Sequence, residues 1–283
     1  MASPVAPSYH LETIRADRPS GPNVLCIHGL FAGSWVFERV LPLLAARGHE
    51  ASAISLRGHP PLPPMPDIGA QTISDFYRDA SEAARTLDRP IVIGHSMGGL
   101  LALLLAANGL ARAAVLMSPA PSRGIPALSV AIVTRMARYL PALVFSRAYL
   151  PIDEHFDALT LNMMPPEQRA AQRARFTPDS GRASRDIALG VHAVSPEDVR
   201  VPMLVVGAEQ DRFIPLGTSR RMAKKYDAQF HVAKGHGHFL LAEPGWHTEA
   251  AVILDWIDAL AENPSPAGRI SPATIHRSSP GVP

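Results

Sequence analysis

Cysteine is almost absent from this chain. Of 283 residues only Cys26 carries a thiol, which excludes an intramolecular disulfide framework and any multi-cysteine metal site. No unbroken apolar run approaches the roughly 20 residues of a membrane span. The first ten residues, MASPVAPSYH, have neither a basic start nor an apolar block, so they do not read as a secretory signal. There is no long basic run and no interleaving of basic with aromatic residues, which argues against nucleic acid as a partner. The 27 basic and 25 acidic residues nearly cancel, leaving a formal charge of +2. Together these absences point to a soluble, cytoplasmic protein.

Apolar residues are plentiful, at 47%, enough for most of the chain to bury a core. Short β-forming runs alternate with helical spacings. Strands are expected at Val24–His28, Ala51–Leu56, Pro90–Gly94, Ala113–Met117, Val201–Gly207 and Gln229–Ala233. Helices are expected at Ser34–Arg47, Thr72–Leu87, Gly98–Asn108, Leu216–Tyr226 and Trp246–Leu260, with Gly109 ending the third. Strands apolar on both faces and separated by helices imply an α/β fold, a mostly parallel central sheet flanked by helices. Ligands gather at the carboxyl ends of such strands.

Residues 121–196 break this rhythm. The stretch is arginine-rich and proline-punctuated, with helical spacing around Ala127–Tyr139, His155–Asn162 and Glu167–Phe176. It reads as a helical cap inserted into a core formed by residues 8–120 and 197–262. Residues 263–283 turn to Pro, Ser, Gly and Ala and read as a disordered tail.

The sharpest motif is Gly94-His95-Ser96-Met97-Gly98, between an expected strand and an expected helix. Three fixed residues alone would arise by chance in about one chain in ten of this length; the strand before and the helix after give them meaning. In a strand-turn-helix elbow the serine occupies a tight turn with its hydroxyl above the sheet, and the glycines leave room for neighbouring backbone. A serine hydroxyl is a poor nucleophile at neutral pH and needs a base, itself oriented by an acid. Two candidate bases, His236 and His238, follow the sixth expected strand; Glu209, Asp211 and Asp227 are the candidate acids.

These segments resemble the α/β-hydrolase superfamily, and within it the capped esterase- and lipase-like group with a His-Gly-x oxyanion turn. The elbow, Gly207-x-x-x-Asp211-x-x-Ile214-Pro215 and Gly237-His238-Phe239 with Glu243 carry the resemblance. It implies Ser96 as nucleophile, Asp211 as orienting acid and His238, rather than His236, as base. It implies an oxyanion hole from the N–H groups of Met97 and Leu30, with Phe31 the runner-up for the second. His28 and His95 read as structural. No metal and no organic cofactor is implied. The partner is a small-molecule substrate, a short or medium acyl ester or a lactone; oligomeric state stays open.

The same triad also serves thioesters and carbon–carbon bond hydrolysis, and the scaffold can serve a small-molecule receptor. Ser96 argues against dehalogenase and epoxide hydrolase chemistry, which use an aspartate at the elbow. Arg57-Gly58-His59-Pro60 departs from the family's usual small-residue turn, and its proline run, residues 60–64, reads as a stiff surface loop. The cap residues Leu128, Val130, Ile132, Val133, Leu140, Leu143, Val144, Phe145 and Leu150 suggest an apolar pocket, with Met163 and Met164 as further lining. Arg169, Arg173, Arg175, Arg182 and Arg185 read as a solvated face rather than an anion site. Cys26 reads as a buried, inert thiol, and Trp35 and Phe37 as packing residues.

Overall fold

A computed structural model describes residues 8–126 and 130–262, with backbone only for Val130, Ala131, Ala261 and Glu262. Leu128 and the expected tail, residues 263–283, lie outside the described residues. The chain begins β1 (His10–Ile14), β2 (Val24–Ile27), α1 (Leu41–Ala46), β3 (Ala51–Ser55), α2 (Ile73–Thr86), β4 (Ile91–His95), α3 (Met97–Ala107), β5 (Ala113–Met117). The inserted segment carries α4 (Val130–Met136), α5 (Leu140–Val144), β6 (Ala148–Tyr149), α6 (Asp153–Leu159), α7 (Pro166–Arg173), β7 (Asp179–Ser180) and α8 (Gly181–Ala188). The chain then closes with β8 (Met203–Ala208), α9 (Leu216–Lys225), β9 (Gln229–Ala233) and α10 (Trp246–Glu262).

Seven strands form one sheet in the order β1-β3-β2-β4-β5-β8-β9, parallel throughout except where β1 pairs antiparallel with β3. Alternation of side chains across each strand sends Val24, Cys26, Ile91 and Ile93 to one face, where α1 and α10 pack. Leu25, Ile27 and Val92 go to the other, under α2, α3 and α9. α2 opens on a capping box, in which the Thr72 hydroxyl accepts from the Asp75 N–H and the Asp75 carboxylate from the Thr72 N–H. α3 is buried except at Leu104 and Ala107, which explains its uniformly apolar sequence.

Within this sheet, β1 is the strand that the sequence pattern does not reveal. It is an edge strand without a fully buried residue, so HLETI carries no apolar run. The expected helix Ser34–Arg47 is two pieces, a 3₁₀ turn at Ser34–Phe37 and α1, which restarts with Pro42 in its first turn. In the inserted segment α5, α8 and the antiparallel ribbon β6–β7 were not legible. Two-residue strands have no period, and α8 packs through small residues: a Cβ on Gly181 would meet the Ala142 carbonyl oxygen at 2.3 Å. Gly109, at φ +69°, follows α3 as expected of a helix-ending glycine. No described helix is long and apolar enough to cross a membrane.

Candidate active site

Ser96 stands between β4 and α3 at φ 55°, ψ −117°, a left-handed conformation that costs an L-residue on the order of 1–3 kcal/mol. The turn is held tightly. The Ser96 N–H donates to the Met117 carbonyl at 3.0 Å, and the Ser96 carbonyl accepts from Gly99 and Ala120, each at 2.9 Å. The flanking glycines are required by close approach: a Cβ on Gly94 would lie 2.1 Å from the Gly98 oxygen, and one on Gly98 would lie 2.0 Å from the Ile27 oxygen. The Met97 N–H is the first of α3 and has no intrahelical acceptor.

His238 follows β9. Its Nδ1 donates to Asp211 Oδ2 at 2.9 Å, and both side chains are buried. The other carboxylate oxygen of Asp211 accepts from the Phe213 and Ile214 N–H groups at 2.8 and 2.7 Å. Nδ1 being engaged, Nε2 is the imidazole nitrogen available to a ligand. Phe213 packs edge-on against the ring at 5.1 Å, and His95 donates from Nε2 to the His238 carbonyl at 2.8 Å. Burial pushes the His95 imidazole down to about 3, so it is a neutral clamp. The alternative residues have other work. Glu209 is exposed and accepts from the Gly235 N–H, and Asp227 is an exposed turn residue at φ 49°. His236 bonds Glu243 at 3.2 Å, which also accepts the Gly237 N–H at 2.7 Å. Glu243 thus braces the loop that presents His238, a physical role for the glutamate of the motif.

Ser96, His238, Leu30 and Phe31 line one cavity beneath the inserted segment. The Ser96 Oγ has no hydrogen-bond partner among the described residues, consistent with catalytic hydrogen bonds that tighten only around a substrate. The Leu30 N–H is likewise free among the described residues, whereas the Phe31 N–H is taken by Asp179 Oδ2 at 2.6 Å. The Phe31 carbonyl accepts from the Thr177 N–H at 2.9 Å. Residues 177–179 therefore hold Phe31, at φ 67°, by both of its peptide groups.

The same Asp179 oxygen accepts from His59 Nε2 at 2.9 Å, with both side chains fully buried. His59 is therefore no part of a surface loop, although Pro61, Pro63 and Pro64 beyond it are exposed. Burial alone lowers the His59 pKa, but the Asp179 carboxylate outweighs it and holds it above the ordinary value. Burial raises Asp179, and His59 with two N–H donors overcomes this and holds it low. His28, 4.8 Å from His59, is pushed by burial to about 3. It accepts the Leu56 N–H at Nε2 and bonds the Gly29 carbonyl at Nδ1, a structural role.

Over residues 24–250 the sequence matches the family described as "Alpha/beta hydrolase family". The chain belongs to that family. Pyrethroid hydrolase of Sphingobium wenxiniae is 25% identical over 276 residues, covering 88% of this chain and 92% of that protein. Esterase PIR7B of Oryza sativa subsp. japonica is 35% identical over 86 residues, 29% of this chain and 31% of its own. The chain spans about a third of the length of the rice relatives it matches. Among solved structures, the monoacylglycerol lipase of Paleococcus ferrophilus shares the fold at a TM-score of 0.69 and 21% identity, over 88% of this chain and 99% of that one.

The arginines of the inserted segment act as staples. Arg173 pairs with Asp157 at 2.5 Å, Arg175 clasps Glu38 at 2.6 and 2.7 Å, and Arg182 reaches Asp186. Arg169 and Arg185 donate to main-chain carbonyls. The apolar cap residues divide. Ile132 and Leu143 line cavity, while Val133, Leu140, Val144, Phe145 and Leu150 are exposed, because α5 and its flanks show those residues outward. Met163 is exposed and Met164 buried, and neither lines a cavity described here; Met136 does. Trp35 and Phe37 pack, Trp35 against Phe176 and Phe239. Burial pushes the Cys26 thiol up. Among the described residues no group of three or more His, Cys, Asp or Glu is placed to hold a metal ion. Asp179, Phe156 and Phe176 escaped the sequence reading. The only local signal near Asp179 is Ser180, whose hydroxyl accepts the Ala183 N–H and caps α8.

Proposed function

We propose that this hydrolase cleaves carboxylic esters, lactones included, by an acyl-enzyme route. The observation that carries the reading is the buried 2.9 Å bond between His238 Nδ1 and Asp211, with Ser96 lining the cavity that His238 lines. Ser96 Oγ attacks the carbonyl carbon as His238 Nε2 takes its proton. Asp211 fixes the tautomer and stabilises the imidazolium. The developing oxyanion meets the N–H groups of Leu30 and Met97, each contributing about 3–4 kcal/mol. The imidazolium then protonates the leaving oxygen, the carbon–oxygen bond breaks, and the acyl-enzyme forms. Water, deprotonated by His238, reverses the sequence and frees the acid. The elbow's backbone strain and the unpaired Leu30 N–H support this assignment; the names of the esterase and lipase relatives agree with it.

The test is turnover of p-nitrophenyl butyrate by the wild type and by Ser96→Ala. Sustained turnover lost in the variant is the expected result. A wild type that binds esters without sustained turnover is a receptor on a hydrolase scaffold, and the reading fails.

A further inference from the structure

Ser96 sits where two chambers meet. Leu30, Ser96, Met136 and Phe213 line both, and the chambers enclose about 550 and 620 Å³, mouths included. His238 lines only the first. Beyond the shared residues the two walls differ in chemistry. The first chamber carries Phe31, Phe156, Phe176 and Phe239. Phe156 and Phe176 stack at 4.5 Å, while Phe31 and Phe239 meet them edge-on at 6.0 and 5.6 Å. The second is walled by Ala120, Ile132, Leu143, Ile187, Ala188 and Ile214, with the Tyr149 ring its one aromatic among the described residues beyond the shared Phe213. Its polar atoms are spent on each other: the Tyr149 hydroxyl donates to Ser184 Oγ at 2.9 Å, and Ser184 donates to the Ser180 carbonyl at 2.8 Å.

We infer that the aromatic chamber receives the leaving alcohol and the aliphatic chamber the acyl chain, so that the site is matched to aliphatic esters of arylmethyl alcohols. The inference rests on the ester-hydrolase reading and follows from its proton path. When the tetrahedral intermediate collapses, the carbon–oxygen bond to the alcohol breaks and its electron pair stays on that oxygen. The proton that His238 took from Ser96 passes to it. The leaving oxygen must therefore lie within reach of Nε2, in the chamber that His238 lines. The acyl carbon stays bonded to Ser96 Oγ, and its chain extends the other way. An aryl ring in the first chamber finds ring faces and edges at the angles aromatic pairs prefer. A flexible aliphatic chain finds branched aliphatic walls with no hydroxyl proton to spare. In the first chamber His155 bonds Tyr139 through Nδ1 at 2.9 Å and has no partner for Nε2 among the described residues, so a polar substituent on the ring can be met there.

Two isomeric esters test the assignment, benzyl octanoate and heptyl phenylacetate, which exchange ring and chain across the ester bond. The wild type is expected to prefer benzyl octanoate by about tenfold or more in kcat/KM. Thr160→Trp, which fills the aromatic chamber, should lose benzyl acetate and keep ethyl octanoate; Ala188→Trp should do the reverse, each retained ester reporting a folded enzyme. Equal or inverted preference between the isomers, with p-nitrophenyl butyrate still turned over, overturns the inference alone. Failure to turn over any ester, p-nitrophenyl butyrate included, overturns the ester-hydrolase reading and the inference with it.

Discussion

Asp179 and Phe31 are 148 residues apart in the chain and meet in a 2.6 Å hydrogen bond from the Phe31 N–H to Asp179 Oδ2. The bond ties the inserted segment to the turn beside the Leu30 N–H. The inserted segment in this way helps to shape the proposed oxyanion site. Asp179→Ala removes the acceptor and leaves His59 buried without its partner, so it is expected to cost about 3–5 kcal/mol of stability. Asp179→Asn keeps one oxygen acceptor for Phe31 and His59, but loses the charge and sets its NH2 against the Ser180 N–H, which donates to the other carboxylate oxygen in the parent. Denaturant unfolding together with kcat checks this: the alanine variant should lose both, and the asparagine variant should keep more of kcat than of stability.

The left-handed backbone of Ser96 sets apart two substitutions that the proposed mechanism makes equally inactive. Both Ser96→Ala and Ser96→Gly should lower kcat by about 10⁴ or more. Only glycine relieves the strain, so Ser96→Gly should unfold with a free energy about 1 kcal/mol higher than Ser96→Ala. Equilibrium unfolding of the two purified variants measures the difference.

Glu243 holds the loop before His238 by accepting the Gly237 N–H at 2.7 Å. Glu243→Ala should let that loop relax and misplace Nε2, at a cost of about 100-fold in kcat. Glu243→Gln retains an oxygen acceptor and should recover most of it. Steady-state kinetics on a p-nitrophenyl ester, with near-ultraviolet circular dichroism as a fold control, distinguishes a displaced base from an unfolded chain.

The buried histidines His28 and His95 set a pH dependence of stability. Burial holds both at about 3, below the ordinary histidine value of about 6.5. The unfolded chain therefore takes up protons at a higher pH than the folded one. The contribution of these two groups to stability is complete above about pH 6.5 and falls as pH drops toward 3, by an amount on the order of a few kcal/mol for each. Unfolding free energy measured between pH 7 and 4 should decline. His28→Gln and His95→Gln, each less stable at pH 7, should show a shallower decline than the parent.

The residues of the sheet and of the elbow were legible because their signals are local. β5 and β9 coincide with their expected spans, and Gly94 and Gly98 flank a serine whose turn needs them. β1 escaped because an edge strand need not be apolar, and β6–β7 because two residues cannot show a period. The His59–Asp179 pair was invisible for a different reason. Its partners lie 120 residues apart, and a histidine beside a proline run reads as surface until the cap covers it. The aromatic chamber likewise draws Phe31, Phe156, Phe176 and Phe239 from distant segments, so no spacing announces it.

The central claim is that Ser96, His238 and Asp211 act as one relay. Phosphonylation tests it most directly: treat the wild type, Ser96→Ala, His238→Ala and Asp211→Asn with a p-nitrophenyl alkylphosphonate, then map the adduct by peptide mass spectrometry. The account predicts a single phosphonyl group on Ser96 in the wild type, none in Ser96→Ala, and labelling slowed by about 10³-fold or more in the other two. A label on any other residue, or undiminished labelling in His238→Ala, contradicts it.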